Sequence, residues 1–261
     1  MGHERIPALP KTQKWRDVVQ QIASIYTSET EVADIAKQTI QIVRSRLRQI
    51  TRDDGVKAAF QFLVNLSVAS RSENPQEYLL DIGIELPNSP TPLSFAKAVK
   101  AWMAPKINSL EYGRIAQGAA TDAISIWYNQ NKTTQGRLFE SLDDPFEVWR
   151  KAGNGAGFCE LSRLFFARFT ERYLSYFLER EASAVLEGIH ERNEFRRQLE
   201  EHVEEISQHA FETAKITQSF AAAWFNKHAR EGIPDEKAIE GFLSIAFGKI
   251  RDELLREGQK Q

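Results

Sequence analysis

Cysteine is almost missing from this chain: Cys159 is the only one among 261 residues. No intramolecular disulfide framework can form, and the expected compartment is a reducing cytoplasm. An excess of positive charge is also missing. The 34 basic residues nearly balance 36 acidic ones, for a formal net charge of −2. That excludes a globally basic nucleic-acid binder and leaves only a local patch to consider. No stretch of about 18 uncharged apolar residues exists, so no transmembrane helix is expected. The longest apolar run, 56–69, is interrupted by Lys57, Gln61 and Asn65. Residues 1–20 hold no apolar run of the kind a signal peptide needs.

Strand signals are lacking too. No alternating segment is bounded by turn residues, and no internal repeat or low-complexity tract occurs. Catalytic signatures such as G-x-S-x-G, H-E-x-x-H and the kinase set do not appear.

What remains is helical period. Apolar residues return at i, i+3, i+4 and i+7 almost throughout. Thr12 caps an expected helix over 13–26, with Trp15, Val18, Val19, Ile22 and Ile25 on one face. Ser28 and Glu31 have capping-box spacing before a second helix that ends near Ile50. Asp53 and Asp54 restart the chain as a helix to about Ala69 that is apolar nearly all round, which marks a buried element. Shorter helices are expected over 75–82, 93–103 and 111–128. Pro145 opens a brief one that Gly153 stops. Two long helices follow, 158–190 and 193–229, then a last one over 234–256. The fold class expected is all-α, an irregular multi-helix protein with two packed helical halves, 1–130 and 140–261, or one continuous domain. The second half carries a long antiparallel helix pair. Near 50 Å at 1.5 Å per residue, each long helix exceeds the usual globular length, which favours an assembly role.

Six features are candidates for chemistry. Gly153, Gly155 and Gly157 precede a helix start, where backbone N–H groups hold phosphate in other proteins. The spacing matches neither G-x-G-x-x-G nor a P-loop, and the plainer reading is a stop, a turn and a start. Glu187, His190, His202 and Glu205 (with His209) flank an apolar stripe, but only one Glu-x-x-His pair is present where a di-iron bundle needs two. Cys159 stands near a helix start without a histidine close in sequence. These readings imply no metal, no cofactor and no small-molecule substrate.

The other three features concern partners. Lys37, Arg44, Arg46, Arg48 and Arg52 fall in a stretch with no acidic residue, and Arg44, Arg48 and Arg52 recur every fourth position. Such a basic face, with Lys37, suits a phosphate backbone or an acidic partner. Residues 179–205 carry nine glutamates against four arginines and could complement it. Finally, Phe165, Phe166, Phe169, Tyr173, Tyr176 and Phe177 crowd one helix, with Arg163, Arg168, Arg172 and Arg180 interleaved. This is either the centre of the chain's own bundle or an interface.

The function expected is a non-catalytic helical subunit or adaptor, working through a protein partner or a homo-oligomer and away from any membrane. An accessory component of a bacterial defence or nucleic-acid-processing complex is one setting for it. A nucleic-acid-binding accessory protein and a helical enzyme with a site assembled from distant residues are the alternatives.

Overall fold

The computed structural model describes residues 12–28, 30–107, 110–132, 146–211 and 220–257. Side chains at 43–49, 110–111, 206–211, 253–254 and 256–257 lie outside that description. The fold is all-α, with eleven α-helices and no strand among the described residues. None of these helices is long and apolar enough to cross a membrane.

The chain begins with α1 (Gln13–Ser24) and α2 (Val32–Ile50). The Thr12 hydroxyl accepts from the Trp15 N–H at 3.2 Å, as its position implies. Next comes α3 (Asp54–Ala69), capped by Asp53, whose carboxylate accepts from the Val56 N–H at 3.0 Å. Its all-round apolar sequence is matched by burial of thirteen of its sixteen residues. α4 (Pro75–Asp81), α5 (Pro92–Met103) and α6 (Leu110–Asn131) complete the first half. α5 starts with a Thr91/Ser94 capping box and Pro92 in its first turn.

The second half opens with α7 (Glu147–Arg150) and a 3₁₀ turn over Lys151–Gly153. Then follow α8 (Gly155–Val185), α9 (Ile189–Phe211), α10 (Phe220–His228) and α11 (Glu236–Glu257). The antiparallel pair is present, but its bounds differ from the sequence reading. α8 ends at Val185 rather than near residue 190, and the second long helix is described only to Phe211. Residues 212–219, within the expected second helix, lie outside the described residues.

Helix α8 is the axis of the molecule. It packs against α1, α6, α9 and α10 along its 31 residues, and α3 packs against α5, α6, α8 and α11. The length of α8 is therefore covered by its own chain and gives no argument for a partner. One hydrophobic core runs through both halves. Phe60 of α3 stacks on Phe242 of α11 with ring centroids 4.9 Å apart, and lies within 6.1 Å of the Phe158, Phe165 and Phe166 rings. Arg71, just past α3, ties the same region together. It donates to the carbonyls of Gly153 (2.6 Å) and Ala229 (2.7 Å), with its guanidinium 4.2 Å over the Phe225 ring.

Candidate functional site

The aromatic run points inward. Phe165, Phe166, Phe169, Tyr173 and Phe177 are buried in the shared core, and only Tyr176 is half-buried. Phe166 and Phe169 meet Phe247 edge-on at 4.9 and 5.0 Å, and Phe177 meets Trp15 at 6.2 Å. Five of the six aromatics proposed for an interface therefore fill the chain's own interior. A wide apolar arc is needed because α8 has neighbours on several sides.

The basic stripe is less regular than its spacing suggests. Lys37 is half-buried on α2, and Arg44 and Arg48 lie on the same helix with side chains outside the described set. Arg52 is exposed in the turn after α2 ends at Ile50, just before the Asp53 cap, so it does not extend the helical face. The histidine group does not converge. Glu187 lies in the connection between α8 and α9, and His190 and His202 are twelve residues apart on α9, about 18 Å of rise. Glu187, His190 and Glu205 are exposed, while His209 lies outside the described side chains. Among the described residues no cluster of three or more His, Cys, Asp or Glu side chains has metal-holding geometry.

The glycines have a steric explanation. Asn154 caps α8 by accepting from the Gly157 N–H at 2.9 Å. A Cβ on Gly157 would stand 1.9 Å from the Lys151 carbonyl oxygen, so the tight entry into α8 admits glycine alone. Cys159 is half-buried near the start of α8, packed against the core.

The structure also assembles a polar seam that the sequence reading did not foresee. On α8, Arg168, Glu171, Arg172, Ser175 and Glu179 recur at i, i+3 and i+4, beside the aromatic face. α6 contributes Arg114 and Asp122, and α9 contributes Arg196 and Glu200. These side chains, with Ile115 and Tyr176, line an open groove of about 450 Å³. Asp122 accepts from Arg172 through Nε (2.8 Å) and Nη2 (2.5 Å). Gly118 gives that guanidinium its room: a Cβ there would lie 3.0 Å from it. Arg168 bonds to Glu200 across the helix pair and lies 3.8 Å from Glu171 and 4.0 Å from Glu204. Arg163 joins Glu160 (2.6 Å) and Glu204, and Arg196 lies 3.4 Å from Glu179.

Glu171 is the buried member of this network. Burial first, and the Glu200 charge second, push its carboxyl above the ordinary value of 4.5, against the pull of Arg168, Arg172 and Arg196. The legible signal was a polar stripe on an otherwise apolar helix. Its partners on α6 and α9 are fixed only by packing.

No protein-family model, curated protein or solved structure matches this chain.

Proposed function

We propose that the chain is a non-catalytic helical subunit or adaptor that acts through protein–protein contact. The observation that carries this reading is an apolar corner where the turn after α1 meets the start of α9. Ile189, the first residue of α9, is 76% exposed, and Tyr26 is 44% exposed. The Tyr26 hydroxyl donates to the Glu191 carbonyl at 2.7 Å, so both residues belong to one corner. Glu191 and Glu194 lie near the Tyr26 phenol, with Glu194 also paired to Arg197. Burial, then the charges of Glu194 and Glu191, push the Tyr26 phenol above its usual range. An exposed aliphatic side chain close to carboxylates suits a partner surface that offers apolar groups flanked by basic ones. Residues 37–52 of a second copy have that composition, and such a contact would run head to tail.

Light scattering across concentration and salt, on the wild type and on Ile189→Asp, tests the reading. Association that weakens with salt and is lost in the variant is expected. A chain that stays monomeric, and whose Ile189→Asp variant captures the same proteins from its native extract as the wild type, contradicts it.

Nucleic-acid binding is the second reading. Neither Lys37 nor Arg52 is paired with a carboxylate among the described residues, which leaves their charge available. Binding to a DNA or RNA fragment must then weaken steeply as salt rises; a flat response removes this reading.

A further inference from the structure

The groove between α6, α8 and α9 contains more than its ion pairs account for. At about 450 Å³ it falls within the range of small-molecule sites, roughly 300–1,000 Å³. Two side chains of α8 one turn apart, Glu171 and Ser175, line it while only 8% and 6% exposed. The Ser175 hydroxyl has no hydrogen-bond partner among the described residues. Leaving such a buried group unmatched costs about 1–3 kcal/mol. The cation nearest Glu171 among its ion pairs is Arg168, at 3.8 Å, beyond hydrogen-bond reach and already bonded to Glu200. The Ser175 hydroxyl therefore lacks a partner one helical turn from the Glu171 carboxylate. A carboxylate beside a hydroxyl calls for a cationic N–H group, and an ammonium supplies three donors in a small volume.

The walls call for the opposite charge. Arg172 is anchored by Asp122 through Nε and Nη2, which leaves its Nη1 donors unused by that contact. Arg196 lies 3.4 Å from Glu179 through Nε, with its side chain largely exposed. Planar, forked guanidinium groups are suited to a carboxylate. We propose that the groove binds a small zwitterion of the amino-acid class, its ammonium on Glu171 and Ser175 and its carboxylate on Arg172 and Arg196. The groove's own charges alternate in sign, which disfavours a ligand carrying one sign only.

Isothermal titration of the full chain tests this with L-glutamate, L-arginine and L-leucine as probes. Succinate and putrescine, each of one sign, are the controls. At least one amino acid is expected to bind while neither control does. Glu171→Gln and Ser175→Val are each expected to weaken that binding by about tenfold, the loss of one charged or one buried contact. Circular dichroism checks the fold of each variant; if Glu171→Gln does not fold, Ser175→Val alone decides. Absence of heat with all three amino acids, equal binding of either control, or unchanged affinity in folded Ser175→Val overturns the proposal.

Discussion

At the scale of single residues, Gly157 has the least freedom. The turn from the 3₁₀ segment into α8 brings the Lys151 carbonyl to where any side chain would begin, 1.9 Å from an added Cβ. Gly157→Ala must move backbone rather than a flexible side chain, and is expected to destabilise the fold by about 3 kcal/mol. Urea denaturation measures this directly. Glu171 makes a separate demand through pH. Arg168 and Arg172 on α8, Arg196 and Glu200 on α9, and Arg114 and Asp122 on α6 line the groove with it. Its carboxyl is raised by burial, so folding favours the protonated form. The stabilisation it provides is present in full below the ordinary value of 4.5 and is lost as pH rises through the raised value. Glu171→Gln keeps the neutral shape at every pH. Its stability relative to the wild type is therefore expected to be greater at pH 7 than at pH 4, in urea titrations at the two values. A gap that does not change with pH would remove this account of Glu171.

At the scale of elements, most helices were legible because each has to bury one stripe. The cap Thr12 and the restart at Asp53 could be read from residue type and spacing, and α3 from its lack of a polar face. The end of α8 was not legible. Val185, Leu186 and Ile189 continue the apolar period, so nothing local stops the helix at Val185. Downstream residues do so instead: Arg192 donates to the Leu186 carbonyl at 2.9 Å, and the Glu191 carboxylate accepts from the Gly188 N–H at 3.2 Å. Likewise the arginines on α8 were visible among the aromatics, but their carboxylate partners lie up to 50 residues away in sequence. Arg168 couples α8 to α9 most closely. Arg168→Ala leaves Glu171, Glu200 and Glu204 crowded without it, and is expected to cost about 3 kcal/mol at neutral pH. Adding Glu200→Ala should restore part of that loss, as a double-mutant cycle by chemical denaturation would show.

At the scale of the molecule, α3 and α8 put both halves of the chain into one core. Phe60 meets aromatic rings of α8 and α11, and Trp149 lies 4.5 Å from Phe95 across the boundary expected from sequence. The Trp127 indole N–H also donates to the Val148 carbonyl at 3.2 Å. This intramolecular core buries five of the six residues of the aromatic run. Among the described residues the large apolar side chains left exposed are Tyr26, Leu80, Leu93, Ile189 and Ile245. Tryptophans report on both halves, with Trp15, Trp102 and Trp127 on one side and Trp149 and Trp224 on the other. Urea unfolding followed together by tryptophan fluorescence and helical circular dichroism is the most direct test of the shared core. A single transition with coincident midpoints is predicted; two separated transitions, one for each half, would contradict it.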